Sequence, residues 1–326
     1  MIKPVNIFNI YNEAEFQTLA LEVFRYQSKN VPVYRDFLSH LKINPEKIND
    51  FREIPFLPVE LFKSHEIIAL NRKAEIIFES SATTGIVPSR HYVADKTLYE
   101  ESFGRSFNKF YGSPSGYCIL ALLPSYLDRS GSSLVYMAGK LIQQSKNPYS
   151  GFYLHDYEKL ISLLVKLKNT GQPTLLLGVS FALLEFAEKY NEDLEGIVFM
   201  ETGGMKGKRK ELVREDLHAV LKAQFNLCNV HSEYGMTELL SQAYSKGNGI
   251  FYSPPWMRVL VRDSYDPFLL LETGNTGNIS IIDLANIYSC SFIATSDLGR
   301  LNNDGGFEVL GRLDNSDIRG CNLMIG

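Results

Sequence analysis

Cysteine is scarce in this chain. Only Cys118, Cys228, Cys290 and Cys321 occur among 326 residues, with no CxxC pair. That spacing suggests neither a zinc site nor a disulfide framework, and a reducing cytoplasm is the simplest setting. Long apolar runs are missing too, since none approaches the ~18 residues that a membrane span needs. The opening MIKPVNIFNIYNEAEF has no apolar core and no small-residue cleavage site, so it does not read as a signal peptide. Basic charge is not in excess: 33 Lys and Arg stand against 37 Asp and Glu, a net charge of −4. A nucleic-acid partner, which needs a basic face, is therefore not expected. What remains is an ordinary globular balance of 45% hydrophobic and 21% charged residues, enough for one large or two medium domains.

The first 75 residues read as helical. Phe16, Leu19, Ala20, Val23 and Phe24 fall at helical spacing within Glu13 to Tyr26, and a second helix starts at Pro32 and runs to Leu41. In IPFLPVELFKSH (54–65) two prolines break an apolar segment before a short helix. From residue 76 to 250 strand and helix alternate. Strands are expected at 76–78, 117–124, 174–179, 196–201 and 228–231. Helices are expected at 96–111, 132–142, from Asp156, at 181–190 and at 208–225. This alternation argues for an α/β fold with a largely parallel central sheet. Over 251–312 the segments MRVLVRD, FLLLETG and GNISIIDL read as short strands of a small antiparallel β-subdomain. Residues 313–326 form a short tail. No internal repeat or low-complexity linker divides the chain.

Two stretches carry chemistry. In ESSATTGIVPSRH (79–91), small hydroxyl residues and Gly85 follow a strand, where their N–H and O–H groups can approach a phosphate and Arg90 can add a charged fork. A solvent loop is the plain alternative. In HSEYGMTE (231–238), Tyr234 can stack on a purine, Thr237 can donate to a phosphate and Glu238 can hold Mg²⁺. The plain alternative is a helix N-terminus with Thr237 and Glu238 in its first turn.

SSATTG (80–85), TGG (202–204), YGMTE (234–238), TSDLGR (295–300) and GRLDNSDIRG (311–320) occur in that order. The series resembles that of the adenylate-forming (ANL) superfamily, which includes acyl-CoA and phenylacetate-CoA ligases. IPFLPVELFKSH and the ending RGCNLMI further resemble the LuxE-type acyl-protein synthetases of fatty-acid reductase systems. The resemblance implies an ANL-type large lobe, with helix-flanked parallel-rich sheets and a small antiparallel subdomain. It places residues 313–326 at a truncated crossover, with the C-terminal lobe absent. It further implies activation of a carboxylic acid, a fatty acid first of all, as an acyl-adenylate with ATP and Mg²⁺. The acyl group would pass to Cys321 and then to a partner such as a reductase.

By the same resemblance Ser81, Thr83, Thr84 and Gly85 would cradle the β- and γ-phosphates, and Gly203 and Gly204 would let the backbone pass close to adenine. Tyr234, with Gly235 beside it, would stack on adenine, Thr237 would contact the α-phosphate, and Glu238 would hold Mg²⁺. Asp297 would take the ribose hydroxyls and Arg312 ribose or phosphate. The loop departs from the family's TTGxPK: it reads TTGIVPSR, with Arg90 in place of lysine and Ala82 where glycine or serine is common. The lysine of the second lobe is absent, and Lys206 would supply part of its charge. Plain alternatives stand beside these roles. Asp297 can make a turn, and Arg312 can pair with Asp314 or Asp317. His231 can line an acyl pocket or end a strand, and Lys206 can belong to a solvated helix start. Tyr126 and Ser180 follow strands and are pocket candidates. Cys118, Cys228 and Cys290 read as core residues. Two other functions remain open: transfer to an external CoA or carrier-protein thiol, and a non-catalytic nucleotide-binding subunit.

Overall fold

The computed structural model describes residues 7–81, 87–124, 131–154, 156–203 and 213–312. In chain order the helices are α1 (Glu13–Asn30), α2 (Pro32–His40), α3 (Lys96–Tyr111), α4 (Ser133–Ser145), α5 (Tyr157–Asn169), α6 (Ser180–Lys189) and α7 (Arg214–Phe225). The strands are β1 (Leu57–Pro58), β2 (Ile76–Glu79), β3 (Arg90–Val93), β4 (Cys118–Leu122), β5 (Gly151–Phe152), β6 (Thr174–Val179), β7 (Val198–Thr202), β8 (His231–Tyr234), β9 (Ala243–Ser245), β10 (Ile250–Phe251), β11 (Met257–Arg262), β12 (Thr276–Asp283), β13 (Phe292–Leu301) and β14 (Phe307–Arg312). They form two compact units. One takes the described residues of Met1–Glu75, His91–Asp95 and Tyr252–Gly326, the other those of Ile76–Arg90 and Lys96–Phe251.

In the first unit the N-terminal helices share a core with the antiparallel strands. Asn12 caps α1 by accepting from Glu15 N–H at 2.9 Å. The buried stripe Phe16, Ala20, Val23, Phe24 and Gln27 follows helical spacing. Phe24 meets Phe292 of β13 edge-on at 5.9 Å, and Tyr34 of α2 stacks on the same ring at 6.0 Å. Gln27 is fully buried. Its amide nitrogen donates to Asn286 O (3.0 Å), Ile287 O (2.9 Å) and Ser291 Oγ (3.1 Å), while its Oε1 accepts from Ser291 N–H at 3.0 Å. A buried amide so fully satisfied fixes one docking geometry. β11, β12, β13 and β14 pair antiparallel in that order, and β1 adds parallel to β13.

In the second unit the sheet order is β5-β4-β6-β7-β8-β9. All neighbours are parallel except β9, which runs antiparallel to β8. β4 and β6 are buried at every position, as strands covered on both faces must be. From β4 the chain goes outward to β5, then returns past β4 to β6, β7 and β8. The order therefore reverses between β4 and β6, and groups leaving the carboxyl ends of these strands face the crevice where open α/β sheets bind ligands.

Several boundaries match the sequence pattern, among them α1, α2, β4, β6 and α5, whose cap Asp156 accepts from Lys159 N–H at 3.1 Å. Others differ. The strand expected at 228–231 lies at His231–Tyr234, and Thr237–Glu238 form a turn rather than a helix start. FLLLETG makes only an isolated bridge, Arg262 to Leu270, because Phe268 and Leu269 face solvent. TSDLGR lies inside the ten-residue β13, so Asp297 is a strand residue and not a turn. Cys118 and Cys290 are buried as expected, but Cys228 is exposed in the loop before β8. Of the helix expected at 208–225, residues 208–212 lie outside the described residues. Among the described residues no helix is long and apolar enough to cross a membrane.

Candidate active site

The phosphate-loop candidate leaves β2 and returns at β3. Its neck is closed by Ser80 N–H donating to Ser89 O at 3.0 Å and Ser89 N–H donating to Ser80 Oγ at 2.9 Å. Ser81 is exposed just above that neck. Arg90 is paired with Glu79, Nε to Oε1 at 3.0 Å, and both side chains are largely exposed. Thr83, Thr84 and Gly85 lie outside the described residues, as do Tyr126, Gly204, Lys206 and Cys321.

In the six-stranded sheet, β7 and β8 deliver their ends side by side, with Glu201 opposite Ser232 and Thr202 opposite Glu233. Successive side chains on a strand point to opposite faces, so two polar clusters form. On one face Glu201 accepts from Arg214 Nε at 2.9 Å and lies 3.8 Å from His218 Nε2, both groups coming from α7. Burial pushes the Glu201 carboxyl up, but the bonds from His218 and Arg214 outweigh it and hold the group below its ordinary value. The Ser180 hydroxyl, at the start of α6, reaches Gly203 O and lies 3.2 Å from Glu201 Oε2. Ser180 thus fixes the backbone at Gly203, whose φ of +66° lies in the region that favours glycine.

On the other face stand His231 and Glu233. His231 Nδ1 lies 3.0 Å from Tyr111 Oη of α3, and the rings are 5.7 Å apart. Burial, with the charges of Lys246 and His218, pushes the imidazole down to about 4. Glu233 is 8% exposed and accepts from the Thr202 hydroxyl. Burial pushes its carboxyl up, the Thr202 bond draws it partly back, and Glu201 adds to the rise, to about 7.

Tyr234, also buried, meets Phe251 edge-on at 5.9 Å, and the Arg214 guanidinium covers that phenylalanine ring at 5.0 Å. Gly235 is exposed at the turn, and a Cβ there would come within 2.5 Å of Glu233 Oε1. Thr237 is half-buried and Glu238 is buried. β7 and β8 therefore bring Thr202, Gly203, Tyr234, Gly235, Thr237 and Glu238 to adjoining strand ends of one unit. Among the described residues no three His, Cys, Asp or Glu side chains gather as a metal-holding group.

In the other unit Asp297 and Arg312 are cross-strand partners on β13 and β14. Arg312 Nε donates to Asp297 Oδ1 at 3.0 Å; the aspartate is buried and the arginine side chain is 73% exposed. Arg312 thus pairs with the residue expected to hold ribose.

None of the sequence motifs gives Glu201, Arg214, His218 or Glu233 a role in the site. One signal was available: each carboxylate stands at or near the carboxyl end of a parallel strand, where polar residues in an apolar strand face the ligand edge.

The chain has the fold of adenylate-forming ligases. ATP-bound MatB from Rhodopseudomonas palustris superposes with a TM-score of 0.55 and 18% identity, over 72% of this chain and 47% of that one. 2-Hydroxyisobutyryl-CoA ligase superposes with a TM-score of 0.69 and 12% identity in complex with R3-HIB-AMP, over 93% of this chain and 68% of that one. Its open form with 2-HIB-AMP and CoA gives 0.67 and 12%, over 93% and 70%. This chain thus spans 47% of the length of MatB. No curated protein matches it. The model of the family "Acyl-protein synthetase, LuxE" matches residues 3–326, and the chain belongs to that family.

Proposed function

We propose that this protein activates a carboxylic acid with ATP as an acyl-adenylate and then transfers the acyl group to a thiol, its own Cys321. One observation carries the reading. In a chain of the acyl-protein synthetase family, the Thr202–Gly203 strand end and the Tyr234–Glu238 segment lie on neighbouring parallel strands, in register, at the edge where such sheets present ligand groups. The ATP in the MatB structure and the acyl-AMP in the 2-hydroxyisobutyryl-CoA ligase structures supply the expected occupants.

Gly203 and Gly204 let the backbone lie along the adenine, which Tyr234 stacks on. Thr237 donates to the α-phosphate. Ser81, Thr83, Thr84 and Gly85 receive the β- and γ-phosphates, and Arg90 exchanges Glu79 for phosphate. That exchange is cheap, because an exposed ion pair is worth only about 0–1 kcal/mol. Glu238 would hold Mg²⁺, which would supply positive charge for the leaving pyrophosphate. Lys206 contributes to the same end. Asp297 takes the ribose hydroxyls, and Arg312, already beside it, holds ribose or phosphate. The carboxylate oxygen bonds to the α-phosphorus as pyrophosphate leaves. The thiolate then bonds to the acyl carbon as AMP leaves. A fatty acid is the first substrate class, a reductase or carrier protein the receiving partner, and the cytoplasm the setting.

Pyrophosphate exchange over a panel of carboxylic acids tests the first step, and exchange with at least one acid is expected. ATP binding without exchange for any acid would reject the enzyme in favour of a nucleotide-binding subunit.

A further inference from the structure

β8 carries a carboxylic acid that the proposed chemistry leaves unused. Glu233 is buried and accepts from Thr202 of β7. Its Oε1 lies 2.5 Å from where a Cβ on Gly235 would stand, and Gln242 Cγ lies 3.4 Å from the same point. The carboxyl therefore fills the space that Gly235 leaves and joins the end of one strand to the turn after the other.

Among the described residues, the groups facing it supply no counter-charge. Tyr99 and Tyr111 face it from α3, and Tyr244 is its cross-strand partner on β9. His231, two positions back on the same face, is held neutral, and Glu201 on β7 adds a like charge. Arg214 and His218 are engaged with Glu201, and Lys246 stands over the Tyr111 ring at 5.5 Å. Among the described residues the buried atoms Gln242 Oε1 and Tyr244 Oη have no hydrogen-bond partner.

We propose that Glu233 is a positioning residue that, as a neutral acid, locks the Thr202–Gly203 end of β7 to the Tyr234–Glu238 segment and, as an anion, releases them. Thr202 can donate to either form, and more strongly to the anion, so ionisation does not break that bond. It places a second negative charge near Glu201 in a buried space where no described residue supplies a cation, and such a group must swing out or admit water. The packing against Gly235 goes with it. The lock stands on geometry alone; its effect on nucleotide binding rests on the function proposed above.

Two measurements on the full chain test this, each from about pH 6 to about pH 8.5, spanning the ionisation. One is the dissociation constant for ATP by calorimetry. The other is hydrogen exchange at the 231–240 amides without ligand, corrected for intrinsic base catalysis. In the wild type the dissociation constant is expected to rise by about tenfold per pH unit above about pH 7, and corrected exchange to rise as pH approaches 7 and level off above it. Glu233→Gln has the same shape and cannot ionise, so both should stay flat. Thr202→Val removes the bond that draws the carboxyl down, so the break should move to higher pH. A flat corrected exchange profile in the wild type, or a Gln variant that follows the wild-type curve, overturns the lock. Should exchange behave as expected while ATP binds at no pH, the lock stands and the adenylate reading falls. Should ATP bind while exchange stays flat, the outcome is reversed.

Discussion

Two glycines at the strand ends are confined for different reasons. Gly203 has a left-handed backbone, with its carbonyl taken by Ser180, so Gly203→Ala should cost about 1–2 kcal/mol in urea denaturation. Gly235 is confined by space: a Cβ would meet Glu233 Oε1 at 2.5 Å. Gly235→Ala should cost about 1–3 kcal/mol through overpacking, and Gly235→Ala with Glu233→Ala should recover part of that loss. The sequence foretells neither constraint: Gly203 is expected there to let the backbone pass close to adenine, and Gly235 to stand beside the stacking Tyr234. The second depends on a carboxylate that folds back from two positions away, which no spacing rule foretells. Arg312 gives a third test. Its side chain is 73% exposed, so losing the pair with Asp297 should change stability by no more than about 1 kcal/mol. Arg312→Ala should nonetheless lower pyrophosphate exchange about tenfold or more, a charge-assisted bond being worth about 1.5–3 kcal/mol. Equal losses in stability and exchange would leave the residue a structural role only.

At the scale of the element, β8 holds two neutral titratable groups whose effects on stability oppose each other. Glu233 is raised from 4.5 to about 7, so its contribution is full below pH 4.5 and is lost as pH rises through 7. His231 is lowered from 6.5 to about 4, so its contribution is full above pH 6.5 and is lost as pH falls through 4. Between pH 4.5 and 6.5 the unfolded chain has gained about one proton at the histidine and lost about one at the glutamate, so the two slopes cancel. Glu233→Gln should make stability rise with pH in that window, and His231→Gln should make it fall. The double variant should restore the flat profile, all three followed by urea midpoints. Equal slopes in the two single variants would rule out opposed protons on this strand. The strand itself shows where pattern reading stops. Helices with strong stripes and side-chain caps, and the wholly buried β4 and β6, are legible because their apolar pattern reflects their burial. His231-Ser232-Glu233-Tyr234 alternates polar groups on both faces, each satisfied by a helix or a neighbouring strand. No apolar face announces it. FLLLETG errs the other way, apolar in sequence yet with Phe268 54% and Leu269 52% exposed.

At the scale of the whole molecule, the three described cysteines divide by environment. Cys290 is buried, which pushes its thiol up to about 12, and burial raises Cys118 as well; neither is a ready nucleophile. Cys228 is exposed and serves as the internal control. With ATP and a radiolabelled acid, hydroxylamine-sensitive label on the protein should vanish in Cys321→Ser and persist in Cys118→Ala, Cys228→Ser and Cys290→Ala. Label that survives Cys321→Ser would reject self-acylation, and thioester on added CoA or carrier in that variant would favour an external acceptor. The buried amide of Gln27 binds distant parts of the first unit, and Gln27→Leu should cost about 3 kcal/mol by stranding several of its partners.

Gln27 and Ser291 are 264 positions apart. A ribosome adding about 5–20 residues per second needs on the order of tens of seconds to cover that interval. Through that time the apolar stripe of α1 has been made but not its partners Phe292 and Ser291, so a nascent chain of this protein should be a client for chaperones that shield such stripes until β13 emerges.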